Sequence, residues 1–177
     1  MTLGTLRIVA TYSVFSHTAD EPAHIAAGME WLDQGKYRYE PLHPPLARIA
    51  TALGPYLDGR VSQHLPDMWP EGLAILGQGA DYDRTLTLAR LGILPFFWLA
   101  CLVVYVWGRH YFGEPVACTA VLIFSMLPSI LAHAGLATTD MPLTATVSAA
   151  FLLAALWAEK PTPGRSLGLG LATGLAV

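Results

Sequence analysis

Carboxylates and histidines that could take part in a reaction occur at three places in the chain. Asp20 and Glu21 form an acidic pair, and His24 follows at helical spacing on the same side as Asp20. His43 precedes two prolines, and Asp140 stands between two long uncharged runs. A carboxylate in such surroundings is costly and usually functional. Since carboxylates can remove protons and imidazoles can hydrogen-bond polar groups, these residues indicate chemistry at a membrane surface.

The composition is typical of a membrane protein. Hydrophobic residues make up 54% of the chain and charged residues 13%, against roughly 25% charged in a soluble domain. Residues 1–83 carry 5 basic and 10 acidic side chains, whereas residues 84–177 carry 5 and 3. We therefore expect a polar, acidic layer followed by membrane helices. A net charge of −3 gives no reason to expect nucleic acid as a partner.

Apolar runs in residues 91–177 predict membrane spans at about 91–107, 115–137, 141–158 and 166–177. The first three have the roughly 17–25 residues that cross a bilayer. The fourth is incomplete, and residues 1–16 look like the outer end of a truncated first span. The predicted fold is therefore an all-α, multi-span transmembrane helical bundle, truncated at both ends.

Short loops predict the orientation of this bundle. Arg109 after the first strong span and Lys160 after the third carry basic charge, which favours the cytoplasm. Residues 17–90 then form a long first loop on the outer side, which escapes this rule because it exceeds about 60 residues. Asp140 is also outside, so all the candidate residues share one face.

The outer loop is predicted to contain an amphipathic juxtamembrane helix. Thr18 to Glu21 is a capping-box pattern, and an apolar stripe with i, i+4, i+7 spacing then runs to Gly35. We expect this helix to lie on the bilayer. Asp20 and His24 on its other side could line a groove.

A second interfacial helix is predicted to begin at Pro45 and to stop at Gly54-Pro55. His43 would be held just ahead of it by two prolines. Residues 59–83 are predicted as a loop with one short helix from Glu71 to Leu76.

The order of these motifs resembles the amino-terminal part of GT-C glycosyltransferases. It is most similar to the branch that includes protein O-mannosyltransferases and lipid A aminoarabinose transferases. The resemblance extends over nearly all 177 residues. It is carried by Thr18-Ala19-Asp20-Glu21-Pro22-Ala23-His24, Gly28, Gly35, His43-Pro44-Pro45-Leu46, Arg90, His133 and Thr138-Thr139-Asp140-Met141-Pro142.

The resemblance implies an enzyme that transfers a sugar from a polyprenyl-phosphate carrier to a protein, lipid or glycan acceptor. The implied location is the bacterial inner membrane, with the active site facing outward. Because members of these families have further spans, the isolated chain is not expected to turn over substrate.

The resemblance also implies roles for individual residues. Asp20 is the implied general base of an inverting displacement, and Glu21 would orient or assist it. Arg90, at the outer end of a span, would meet the departing phosphate. The implied substrate-binding residues are His24, His43, Arg90, His133 and Asp140.

Each of these residues also has a purely structural alternative. Asp20 and Glu21 can cap a helix, and Asp140 can begin the next one. Arg90 can extend to the membrane interface without binding substrate. The histidines can be turn residues or buried hydrogen-bonding groups.

Two further alternatives concern metal binding and function. HExxH, paired cysteines and compact ligand spacing are missing from the sequence, and the resemblance implies no required metal, although a divalent cation is left open. A non-enzymatic transporter, or a protein that only binds lipid-linked sugar, would also use membrane carboxylates. Spans without charged residues inside them, and with acidic residues at their outer ends, favour the glycosyltransferase over the transporter.

Overall fold

The computed structural model describes residues 1–176, except for the side chain of Ala80, and within that range it contains helices and no strand. The predicted all-α fold is confirmed. The helices are α1 Thr2–Val9, α2 Glu21–Gln34, α3 Pro45–Leu57, α4 Met68–Leu76, α5 Tyr82–Leu91, α6 Leu94–Phe112, α7 Glu114–Phe124, α8 Pro128–Ala134, α9 Asp140–Glu159 and α10 Pro163–Ala176.

Helix α2 is the centre of the layer formed by α2, α3 and α4. It begins at Glu21 and ends at Gly35, whose φ of 63° is the left-handed conformation that favours glycine after a helix. Its apolar side chains Ile25 and Met29 are fully buried with residues of α3, α4 and α5. The apolar stripe therefore packs on protein, which differs from the expected contact with the bilayer.

Helix α3 continues past the expected stop. Pro55 lies inside the helix, and the Asp58 N–H still donates to the Gly54 carbonyl. A proline removes one helical hydrogen bond, which a short helix packed between neighbours can tolerate. The buried face of α3 carries Ala47, Arg48 and small residues, whereas Leu57 is exposed.

Among the described residues, two helical stretches are each long and apolar enough to cross a membrane. They are Tyr82–Phe112, which joins α5 to α6, and Asp140–Glu159. The pair α7 and α8 passes the same test only if the two are counted together, because they are bent by 66°. Leu127 is extended before Pro128, as residues before proline prefer, so the run predicted as one span is broken there.

The carboxyl-terminal ends of α6 and α9 meet. His110 Nε2 lies 2.8 Å from Glu159 Oε2, and the Tyr111 hydroxyl donates to Glu159 Oε1 at 2.7 Å. Lys160 follows at this end, whereas Asp140 begins α9 at the other end. The short basic loops and Asp140 are therefore at opposite ends of these helices.

Candidate functional site

A polar cavity of about 290 Å³ lies between the α2, α3 and α4 layer and the start of α9. It brings together four of the seven candidate residues, although they come from three separate parts of the sequence. The residues that line it are Asp20, Ala23, His24, Glu40, His43, Arg48, Met68, Trp69, Thr138, Thr139 and Asp140.

Asp20 is the residue of the acidic pair that lines the cavity. It occupies the capping position before α2, but its side chain makes no capping hydrogen bond and is exposed. Within residues 1–176 its carboxylate has neither a hydrogen-bond donor nor an ion-pair partner. An unbonded carboxylate beside a cavity can accept a proton from a bound hydroxyl group.

Glu21, the other residue of the acidic pair, does not line the cavity and is buried, with 0% of its surface exposed. Its carboxylate oxygens accept hydrogen bonds from Arg90 Nε at 2.8 Å and Nη2 at 2.9 Å, and from the Ala137 and Thr18 N–H groups at 2.8 Å each. Burial alone would raise the pKa of Glu21, but these hydrogen bonds and the Arg90 charge together hold it below its usual value. Glu21 thus ties the start of α2 to the segment 137–140.

Arg90 is buried as well, with 1% exposed. Besides Glu21, it donates to the carbonyl oxygens of Tyr12, Phe15 and Ser16 at 3.0, 2.9 and 3.0 Å. These contacts use all five N–H donors of a guanidinium. A phosphate contact at Arg90, as the sequence suggested, would require one of these bonds to break.

His24 contacts Arg48, a residue outside the sequence motifs. Arg48 Nε donates to His24 Nδ1 at 3.2 Å. Burial, followed by the Arg48 charge, lowers the pKa of His24 to about 4, although Asp20 and Asp140 oppose the shift. His24 is therefore neutral near pH 7, and because Nδ1 accepts a hydrogen bond, its proton is assigned to Nε2.

His43 and Asp140 each have a neighbouring partner. His43 Nδ1 lies 3.0 Å from Glu40 Oε1. Asp140 Oδ2 accepts a hydrogen bond from the Thr138 hydroxyl at 2.9 Å and lies 3.3 Å from His133 Nδ1. His133 therefore contacts a residue of the cavity without lining it.

Arg48 was missed because it stands in an unremarkable segment of the sequence. It follows His43 by five residues, on the face of α3 that also carries Ala47, Thr51 and Ala52. A basic residue on the small-residue face of a helix is unusual, because a charge there must be buried against neighbouring backbone. That pattern could have identified it.

The fold and the cavity define the chain as a helical membrane protein with a polar site at one end of its long helices. The model of the dolichyl-phosphate-mannose-protein mannosyltransferase family matches residues 85–177. The chain belongs to this family, which is of the GT-C type, so the predicted family is confirmed and the protein is a membrane glycosyltransferase. No curated protein and no solved structure matches the chain.

The matched segment covers only part of the cavity. Asp140 and Thr138 lie inside it, whereas Asp20, His24 and His43 lie before its first residue. The roles of the individual site residues are therefore not given by the family match and stay predictions.

Proposed function

We propose that the protein transfers a sugar, with inversion, from a polyprenyl-phosphate carrier to an acceptor hydroxyl, with Asp20 as the general base. The observation that carries the proposal is the unbonded Asp20 carboxylate, which shares a cavity with His24, His43 and Asp140. The family supports glycosyl transfer and a lipid-linked donor. The acceptor is a protein, lipid or glycan.

The proposed reaction needs little beyond positioning and one proton transfer. The sugar is already activated, because its phosphate is a competent leaving group. The acceptor oxygen attacks the anomeric carbon while Asp20 accepts its proton, and the bond between that carbon and the phosphate oxygen breaks. Asp140 holds an acceptor or sugar hydroxyl, and His24 and His43 donate hydrogen bonds to the bound donor.

Three residues outside the cavity act through others. Glu21 fixes the Ala137 backbone three residues before Asp140 and so positions that carboxylate relative to Asp20. Arg90 holds Glu21 in place. His133 has the same kind of role, since its ring lies against Asp140.

The proposed location is the bacterial inner membrane with the cavity on the outer side. The basic charge of Arg109 and Lys160, at the end of the helices away from Asp140, supports this orientation. We propose transfer without a required metal. Among the described residues, no group of three or more His, Cys, Asp or Glu is arranged to hold an ion. Transfer measured in EDTA tests this part, and loss of activity that a divalent cation restores would overturn it.

The general base is tested by Asp20→Asn in the whole protein in its host membrane. A positioned base contributes typically 10²–10⁴-fold to a rate, so transfer of labelled sugar from a polyprenyl-phosphate donor should fall by about that factor. Asp83→Asn is the matched control, because Asp83 is an exposed carboxylate at the start of α5, away from the cavity. Equal activity of the two variants would return Asp20 to a structural role.

A further inference from the structure

The proposed donor carries a phosphate, and the cavity must compensate its charge. Asp20, Glu40 and Asp140 line the cavity and would repel an anion. Arg90 has no N–H group left for one. Among the described residues that line the cavity, Arg48 is the only arginine or lysine.

Arg48 is a buried cation whose hydrogen-bond partners are mostly neutral. It is 3% exposed. Its Nη1 donates to the Tyr37 hydroxyl at 2.8 Å and to the Glu40 carbonyl oxygen at 3.3 Å, and its Nε donates to His24 Nδ1. The closest carboxylate oxygen is Glu40 Oε2, 4.0 Å from Nη2. A buried charge is costly unless an anion or strong hydrogen bonds compensate it.

Nη2 is the part of Arg48 that remains available to a ligand. Within the part of the chain that the structure describes, it donates no hydrogen bond. Its two N–H groups can donate charge-assisted hydrogen bonds to phosphate oxygens, which are stronger than hydrogen bonds between neutral groups. The backbone of Arg48 also packs closely against α2 at Gly28. A Cβ atom added at Gly28 would overlap the Arg48 carbonyl oxygen.

We infer that Arg48 binds the phosphate group of the lipid-linked donor, with the Nε2–H of His24 as a second donor beside it. Arg48 then stabilises the negative charge that grows on the phosphate as its bond to the sugar breaks. The transfer step rests on the proposed function, whereas phosphate binding can be measured without it.

The test compares binding of radiolabelled farnesyl phosphate and farnesol to the purified whole protein in detergent. Hydrogen bonds to a charged group contribute enough to change affinity about tenfold to a hundredfold. Wild type should prefer farnesyl phosphate by about this factor, and Arg48→Gln should lose the preference while farnesol binding is kept. Arg84→Gln, at an exposed arginine paired with Asp58, should match wild type.

Several results would overturn the inference. One is a wild type without preference for farnesyl phosphate, and another is an Arg48→Gln variant that keeps the preference. Excess inorganic phosphate should compete weakly, because it lacks the lipid; competition as strong as that of farnesyl phosphate would contradict a lipid-linked ligand. If Arg48→Gln misfolds and loses farnesol binding, Arg48→Lys is the deciding variant. An undiminished preference of Arg48→Lys for farnesyl phosphate over farnesol would contradict a role of the guanidinium.

The outcome is separable from that of the proposed function. If farnesyl phosphate binding depends on Arg48 but wild type transfers no sugar, the inference stands and the transferase proposal fails. If Asp20→Asn abolishes transfer while Arg48→Gln transfers and binds like wild type, the inference fails and the transferase proposal stands.

Discussion

Replacing Glu21 by Gln should destabilise the protein far more than replacing its neighbour Asp20 by Asn. Glu21 is fully buried and accepts hydrogen bonds from Arg90, Ala137 and Thr18. Gln keeps one acceptor oxygen, but it turns an NH₂ group toward these donors and removes the charge that compensates Arg90. Removing one partner of a buried ion pair costs about 3–5 kcal/mol. Asp20 is exposed, and surface substitutions usually change stability by about 0.5 kcal/mol or less.

Thermal unfolding in detergent, followed by tryptophan fluorescence, measures the difference. For a chain of this length, 1 kcal/mol shifts Tm by about 2–4 °C, so Glu21→Gln should lower Tm by roughly 6–20 °C and Asp20→Asn by about 2 °C or less. Arg90→Gln should resemble Glu21→Gln, and the double variant should cost less than the sum because the two residues share a network. A Tm for Glu21→Gln no lower than that of Asp20→Asn would refute the reasoning.

The same ion pair predicts a pH dependence with a definite sign. The pKa of Glu21 is lowered in the folded protein. Its contribution to stability is therefore fully present above the pKa of an unfolded glutamate and is lost as the pH falls through the lower, folded value. Glu21→Gln should lack this component of acid destabilisation, which unfolding measured across the acidic range would reveal. An unchanged acid profile in the variant would show that other groups account for it.

Three further predictions concern topology, titration and packing. In a chain without its native cysteines, Leu42→Cys should react with an impermeant maleimide in intact cells and Gly164→Cys should not; the reverse pattern would invert the orientation. The ring of His24 should titrate near pH 4 in ¹⁵N NMR, and Arg48→Gln should raise this midpoint because a positive neighbour is lost; an unmoved midpoint would contradict the contact. Gly28→Ala should lower Tm, because the added Cβ would overlap the Arg48 carbonyl oxygen. Gly164→Ala is the control and should leave Tm unchanged, because the space around Gly164 is open. Equal Tm values for the two variants would show that α2 and α3 can separate at little cost in free energy.

The fold could be predicted from the sequence where local signals and composition decide it. Gly35 ends α2 as predicted, and the short helix expected at 71–76 is present in α4. The break before Pro128 was not predicted, although a proline in an apolar run is a visible warning. Counting uncharged residues measures how much chain can lie in lipid, but it does not show where that chain changes direction.

The site was harder to predict, because burial depends on contacts between distant parts of the chain. An arginine beside an apolar run looks like a headgroup ligand whether its side chain points outward or inward. Arg90 is directed inward by Glu21, 69 residues away in sequence. Arg48 was overlooked instead: the small residues on its helix face indicate burial, but they do not show that Tyr37 and His24 surround it.

The acidic pair shows why two neighbouring carboxylates cannot share one role here. Consecutive residues on a helix are separated by about 100° around its axis, because a turn contains about 3.6 residues. Asp20 already has helical backbone angles, with φ −88° and ψ −24°, so when Glu21 points into the protein Asp20 must point elsewhere. Glu21 fixes the segment that carries Asp140, and Asp20 is left unbonded beside it. Glu21, whose carboxylate is held by hydrogen bonds, is therefore unsuited to accept a proton. Asp20 can accept one, and its position depends on its neighbour Glu21.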